Sequence, residues 1–524
     1  MTEAASPSPV ETIVQGYTFE EPAIELGVLV EDGEPNPQAG IRIPLGMLNR
    51  HGLVAGATGT GKTKTLQLMA EQISNAGVPV FAADIKGDLS GLASPGQGSD
   101  KLLERTGAIG QDWQGVANPV ELYALGGQGH GIALRATVTS FGPLLLSKVL
   151  GLNATQESSL ELVFHYADSN GLALLDLEDL RSVLLWLTSD EGKADLKAIG
   201  GLSSATTGVI LREITALAAQ GADDFFGEPE FETSDLMRTA ADGRGIISLL
   251  ELPNLADRPA LFSTFLMWLL ADLYQDLPEV GDVDKPHLVF FFDEAHLLFN
   301  GASKAFLEAI AQTVRLIRSK GVGVFFVTQT PKDVPDEVLA QLGSRVQHQL
   351  RAHTPNDAKA LKQTVATFPK SQYDLAEVLQ QLGIGEAVVT VMDPDGAPTP
   401  VAWTRMRAPQ SLMAPTPDAE LEALVQGSSL QAKYGTELNR ESAHEILSAK
   451  IQASADADAA EAAAKEQAKL DKQRAAQEKA SAPRGRAHEE KSVVEQVVGS
   501  SVFKQFARSA GREIVRSLFK TRRR

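Results

Sequence analysis

The chain has 524 residues, 43% of them hydrophobic and 22% charged, the balance of a globular protein with a sizeable core and about two to four domains. It contains no cysteine, which excludes disulfides, thiolate metal sites and cysteine nucleophiles. A formal charge of −19 argues against a wholly basic nucleic-acid coat and leaves room for a local basic surface.

Residues 1–20 are polar and dotted with Pro and Ser, the composition of a disordered tail, and lack the basic stretch and apolar run of a secretory signal. Ile24–Val30 and Ile41–Ile43, separated by the turn-rich EDGEPNPQAG, predict a short β cap over 21–50. Gly52–Ala55 reads as a buried strand, Thr63–Ser74 as a helix and Val78–Ala83 as a second strand running into Asp84. Strand, helix and strand in this order predict a parallel sheet, with 51–140 as the first part of an α/β core.

Over 141–240, Leu, Val and Phe recur at helical spacing in Leu144–Leu150, Ser158–Ala167 and Leu177–Leu187, which predicts a helical insertion. Strand signals resume at Ile246–Leu252, Leu288–Phe292, Val322–Thr328, Val346–Leu350 and Ala387–Met392, with helical periodicity in Ala260–Tyr274 and Ala302–Arg318. Runs apolar throughout suit strands covered on both faces, and 241–407 reads as the second part of the core. The most apolar run, Ala260–Leu270, is shorter than the ~20 residues that span a bilayer. No transmembrane segment is expected, and the cytoplasm is the expected location. From 408 to 483 a Pro-punctuated linker leads into an Ala/Glu/Lys-rich helix without the apolar seam of a coiled coil. The last stretch, 484–524, carries eleven Lys and Arg against four Asp and Glu, leaving −26 on the rest.

Gly56-Ala57-Thr58-Gly59-Thr60-Gly61-Lys62-Thr63 matches G-x-x-x-x-G-K-[ST] between an apolar strand and a helix, the context this motif needs. Its glycines let backbone N–H groups wrap a phosphate, and the helix points its positive end at the anion. In this pattern Lys62 reaches the β- and γ-phosphates of ATP and the Thr63 hydroxyl binds Mg²⁺. Lys64 continues the nucleotide-binding set into the helix.

Leu288–Phe292 ends in Asp293-Glu294, a Walker B pattern in which Asp293 serves the metal and Glu294 polarises the attacking water. The adjacent glutamate favours a hydrolytic motor over a GTPase or metabolic kinase. Asp293-Glu294-Ala295-His296 also spells DEAH, but Lys62 and Asp293 stand 231 positions apart and no second helicase lobe follows. Gln329, at the tip of Val322–Thr328, is the candidate γ-phosphate sensor. Arg315, on the helix before that strand, is the candidate finger supplied to a neighbouring subunit, with Arg318, Arg345 and Arg351 as weaker candidates.

These elements resemble the HerA/FtsK branch of the P-loop ATPases, and the chain is most similar to the bacterial helicase HerA-like proteins, once grouped as a domain of unknown function. The resemblance is carried by Met47–Thr63, Asp84–Leu92 (DIKGDLSGL), Arg135–Asn153, Phe290–Phe299 and Val322–Pro331, and by SVFKQFARSAGREIVRSLFK near the end. It implies a RecA/FtsK-like P-loop NTPase fold with a mostly parallel sheet, an inserted helical subdomain and a helical, partly disordered C-terminal tail. It also implies a homo-hexameric double-stranded DNA translocase using ATP and Mg²⁺, with a nuclease or other protein partner. Asp84 takes the place of an acidic residue near the nucleotide, or caps a turn. Full relatives begin with a β-barrel that the 55 residues before Gly56 are too few to supply.

In the tail, Lys504, Arg508, Arg512, Arg516 and Lys520 recur every four residues, opposite Phe503, Phe506, Ile514 and Leu518. Such a basic amphipathic helix suits DNA phosphate, an anionic membrane surface or the acidic body of the protein. The alternative to a DNA motor is a P-loop ATPase of VirB4/TraG type that moves or remodels a protein partner.

Overall fold

The computed structural model describes residues 8–125, 129–198, 200–252, 259–281, 283–299 and 304–481. Its strands are β1 (Ala23–Glu31), β2 (Glu34–Pro44), β3 (Gly52–Ala55), β4 (Val80–Asp84), β5 (Val120–Leu125), β6 (Ile132–Leu134), β7 (Ile247–Glu251), β8 (Leu288–Phe292), β9 (Val322–Thr328), β10 (Ser344–His348), β11 (Glu386–Thr390) and β12 (Ala402–Met406). They form one twelve-stranded sheet in the order β2-β1-β12-β11-β10-β3-β9-β8-β4-β7-β5-β6. From β10 to β6 every pairing is parallel, and from β2 to β10 every pairing is antiparallel. The fold is therefore a mixed α/β fold with a large, mostly parallel sheet.

Helices α1 (Pro9–Gly16), α2 (Lys62–Asn75) and α3 (Asp100–Ala108) precede the helical region. Between β6 and β7 come α4 (Val138–Val149), α5 (Ala154–Ser169), α6 (Leu177–Thr188), α7 (Lys193–Ala198) and α8 (Ser204–Ala218). Then follow α9 (Pro259–Asp276), α10 (His296–Phe299), α11 (Lys304–Ile317), α12 (Asp336–Leu339), α13 (Pro355–Val365), α14 (Leu375–Gln381), α15 (Asp418–Gly427), α16 (Gln431–Tyr434) and α17 (Ala443–Ser481). Of the described residues, those up to Ile451 belong to one compact unit and those from Gln452 to Ser481 to a second. Among the described residues no helix is long and apolar enough to cross a membrane.

The central strands are apolar on both faces because both are covered, and their side chains alternate between two cores. Leu288, Phe290 and Phe292 of β8 join Val322, Val324 and Phe326 of β9 under α4–α6, α8, α9 and α11. Val289, Phe291, Phe325 and Val327 face the other way, toward α2 and the β1–β2 hairpin.

Three expectations need correction. Within the expected disordered tail, residues 9–16 form α1, started by a reciprocal Ser8–Glu11 capping box and Pro9. Tyr17 is buried behind it and donates its hydroxyl to the carbonyls of Val389 and Pro400. The hairpin expected as a separate cap joins the sheet, since β1 pairs with β12. The start of the expected linker is fixed to the core, where both oxygens of Glu71 accept the N–H groups of Gln410 and Ser411 at 2.8 Å. The basic tail over 484–524 lies outside the described residues.

His51 sits at the amino end of β3 and ties two elements together. Its Nδ1 accepts from Val324 N–H at 3.0 Å, so Nε2 holds the proton and donates to the Val314 carbonyl at 2.7 Å. Burial lowers its pKa to about 4, while an unfolded chain's histidine titrates near 6.5. Its contribution is therefore complete above pH 6.5 and is lost as the pH falls toward 4. His51→Gln is expected to destabilise by about 1.4 kcal/mol less at pH 5.5 than at pH 7.5. Denaturant unfolding at both pH values reads this out, and an equal penalty at each would show that the ring takes up a proton in the folded state.

Candidate nucleotide-binding site

From Ala55 the chain turns through Gly56–Gly61 into α2. Gly59 and Gly61 take φ of +80° and +119°, left-handed conformations that favour glycine. A Cβ on Gly56 would lie 2.5 Å from that of His348. The loop is anchored by Gly56 N–H to Thr328 O at 3.2 Å and by Ala57 N–H to Gln349 O at 2.8 Å. β10 ends at His348 rather than at the expected Leu350, and Leu350 N–H turns to the Leu379 carbonyl at 2.8 Å. Lys62 Nζ donates to the carbonyls of Gly56 at 2.7 Å and Ala57 at 3.2 Å, closing the loop from inside. Gly61 is the N-cap and no side chain caps α2, so its first-turn N–H groups, which lack intrahelical partners, make an anion cradle.

His348 is fully buried beneath this loop, between Thr65 Oγ1 at 2.9 Å and Glu386 O at 2.8 Å. Burial lowers its pKa to about 4, so the ring is neutral. Lys64 donates its ammonium to Gln67 Oε1 at 2.9 Å, and burial is the main influence lowering its pKa.

The register sets the carboxylates beside the loop. Phe292 pairs with both Ala83 of β4 and Phe326 of β9, and Ala55 pairs with Thr328. The carboxyl ends of β3, β9, β8 and β4 thus lie side by side. Asp293 is buried; its Oδ1 accepts Glu294 N–H at 2.8 Å, and its Oδ2 has no hydrogen-bond partner among the described residues. Burial pushes this carboxyl up to about 6. A buried carboxylate oxygen without a partner is a donor suited to a hard divalent cation such as Mg²⁺, and the Thr63 hydroxyl opens α2 one residue after Lys62.

Glu294 adopts φ +46°, unusual for a side-chain-bearing residue. Its Oε1 accepts from Lys86 Nζ, and its Oε2 lies 3.2 Å from His296 Nδ1 without hydrogen-bond geometry. Burial raises its pKa, but the hydrogen bond and charge of Lys86, with the charges of His296 and Lys62, outweigh that and leave it lowered. Asp84 acts as a turn cap: its two oxygens accept Gly87 N–H at 2.8 Å and Leu89 N–H at 2.9 Å, and burial pushes its pKa up to about 7.

Gln329 is exposed at the tip of β9, between the strands that carry the P-loop and Asp293. Arg315 is exposed in the last turn of α11, next to Val314, whose carbonyl takes His51 at the amino end of β3. The structure therefore places Arg315 at the opposite end of the strands from the P-loop of its own chain. Arg351 does reach that loop, donating Nη2 to Thr58 O at 3.4 Å. Arg345 lies on β10, its Nη1 buried without a partner among the described residues. Sequence reasoning missed Lys86 and His348. The first stands in the quoted DIKGD stretch, and the second ends β10, a strand that is polar at every position but Val346 and so gives no signal that singles His348 out.

The family model "Helicase HerA-like C-terminal" matches residues 30–524. "Probable helicase MJECL08" of Methanocaldococcus jannaschii is 29% identical over 153 residues, and the match spans 27% of this chain and 28% of that protein. The bacterial conjugative coupling protein TrwB, in an unbound form, superimposes with TM-score 0.50 at 15% identity, over 77% of this chain and 94% of that one. TrwB in complex with ADP and Mg²⁺ gives TM-score 0.50 at 16% identity, over 76% and 94%. At such identities the likeness to TrwB is one of fold. Because the family model covers nearly the whole sequence and the P-loop and carboxylate pair fall within it, the chain belongs to the HerA-like family of P-loop ATPases.

Proposed function

We propose that the protein is a Mg²⁺-dependent ATPase that works as a homo-hexameric ring in the cytoplasm and couples hydrolysis to movement along double-stranded DNA. The observation that carries the reading is the Asp293-Glu294 pair held at the carboxyl end of β8, beside the P-loop and with β9 between them. Lys62 and the first-turn N–H groups of α2 bind the β- and γ-phosphates. Thr63 and Asp293 would hold Mg²⁺, which neutralises phosphate charge when bound. Glu294 takes the proton of the attacking water, and Gln329 orients that water. TrwB's complex with ADP and Mg²⁺ supports the choice of ligands, and the helicase naming of the family and of MJECL08 supports DNA as the track.

Arg315, exposed and remote from its own P-loop, acts on the γ-phosphate of the next subunit in this reading. Arg315→Ala is then expected to leave nucleotide affinity intact and to lower turnover in the assembled particle, and equal loss in isolated monomers would rule the finger out. The test of the whole reading is steady-state ATPase rate with and without linear double-stranded DNA at low salt, beside the mass of the ATP-bound particle. Several-fold stimulation in a hexamer is expected. Hydrolysis indifferent to DNA would discard the motor on DNA and favour a protein substrate.

A further inference from the structure

Glu294, the base in the reading above, does not stand free. Its Oε1 is taken by the ammonium of Lys86, a side chain half exposed to solvent, whereas that of Glu294 is 6% exposed. A carboxylate oxygen that accepts from an ammonium is not available to a water at the same lone pairs, and the other oxygen, Oε2, is a buried atom that faces His296 Nδ1 at 3.2 Å. Lys86 sits in the short loop after β4, and the two N–H bonds to Asp84 fix the shape of that loop.

The loop in turn is clamped by a distant part of the chain. Thr416 N–H donates to Ser90 Oγ at 3.2 Å and Thr416 Oγ1 donates to Ser90 O at 2.8 Å, while Leu412 N–H donates to Gly91 O at 3.1 Å. The fit is close: a Cβ on Gly91 would lie 2.1 Å from Leu412 O. Beneath the loop is a cavity of about 270 Å³ that Lys86 also lines, together with Glu251, Asp418, Pro415 and Thr416. Lys86 thus has acidic groups on two sides, Glu294 at the head of β8 and the pair Glu251 and Asp418 across the cavity. The 411–416 segment forms part of the cavity wall and also holds the loop.

We propose that Lys86 is a positioning residue that restrains Glu294 from the attacking water, and that displacement of the 411–416 segment frees Glu294 by letting Lys86 turn into the cavity toward Glu251 and Asp418. The proposal rests on Glu294 being the hydrolytic base. It makes hydrolysis responsive to whatever pulls on the chain just beyond β12, through a contact about as direct as a fold can offer: one hydrogen-bonded turn between the clamp and the base.

The experiment compares steady-state ATP hydrolysis by the full-length wild type, Lys86→Met, Lys86→Arg, Glu294→Gln and Thr416→Val. Lys86→Met is expected to raise kcat without added partner by roughly three- to tenfold, as a change of about 0.6–1.4 kcal/mol in the barrier would, with KM for ATP within about twofold. Lys86→Arg, which keeps a cation, is expected to restore the low rate. Thr416→Val is expected to raise the rate in the Lys86 background and to add nothing to Lys86→Met, since both act through one contact. If Glu294→Gln hydrolyses like the wild type, the assignment of the base fails and the restraint with it. If Glu294→Gln is inactive but Lys86→Met is no faster than the wild type, or slower, the restraint alone is overturned. Thermal unfolding of each variant without nucleotide checks that a lost rate is not a lost fold.

Discussion

Glu294→Gln is expected to lower ATP turnover by about 10²- to 10⁴-fold while leaving nucleotide bound, the range associated with losing a positioned general base. The substitution keeps the volume of the side chain and the left-handed backbone at φ +46°. The amide oxygen can still accept from Lys86, and the amide nitrogen faces His296 Nδ1, a buried atom with no hydrogen-bond partner among the described residues. The variant should therefore fold with little change in stability, because the ion pair it loses has a half-exposed lysine, a class of pair worth little. What it loses is the ability to accept a proton. Asp84 is a poor substitute, with both oxygens committed to backbone N–H groups, and Asp293 has a free oxygen better suited to a cation. Single-turnover hydrolysis beside equilibrium binding of a fluorescent ATP analogue separates the two properties. A variant that binds and hydrolyses like the wild type would move the base elsewhere.

Those elements were legible in the sequence whose signal is local. β8 and β9 show runs apolar throughout because both faces are covered, and their observed limits are the expected ones. The P-loop and the Asp293-Glu294 pair carry their chemistry in adjacent residues. What stayed hidden depends on partners far along the chain. β6 has only three residues, and β12 alternates buried and half-buried positions. Its place is set by antiparallel pairing with β1 and β11. The segment after residue 407 reads as a linker because Pro punctuates it, yet Glu71 fixes it from more than three hundred residues away. α1 escaped notice because only Ile13 of its residues is buried. His348 and Lys86 act through residues 283 and 208 positions distant, a relation no spacing rule encodes. Arg315 shows the converse: its place on a helix before β9 was readable, but the end of the sheet it occupies is a matter of tertiary direction.

Lys62→Ala is expected to weaken ATP binding by about two orders of magnitude or more, the loss of roughly two charge-assisted hydrogen bonds to phosphate. Two effects act in the same direction. The ammonium, 8% exposed at the residue level, sits within the loop on the carbonyls of Gly56 and Ala57, so no other side chain occupies its place. Burial lowers its pKa, and the charges of Glu294 and Asp293 raise it, which puts the three groups in one electrostatic neighbourhood. Removing the cation therefore takes an attraction from the phosphates and leaves two buried carboxylates less compensated against them. Lys62→Arg is not expected to rescue, since a planar five-donor fork does not fit where a compact ammonium meets two carbonyls of a six-residue turn. The fold itself should survive, because the lost bonds lie within the loop. Thermal unfolding makes the distinction: ATP at about a hundred times its Kd stabilises a binding-competent protein by about 2.7 kcal/mol, so the wild type should shift on adding ATP and Mg²⁺ and Lys62→Ala should not. An equal shift in both proteins would mean that the nucleotide is held outside this loop, and the roles given to Glu294 and Gln329 would fall with it.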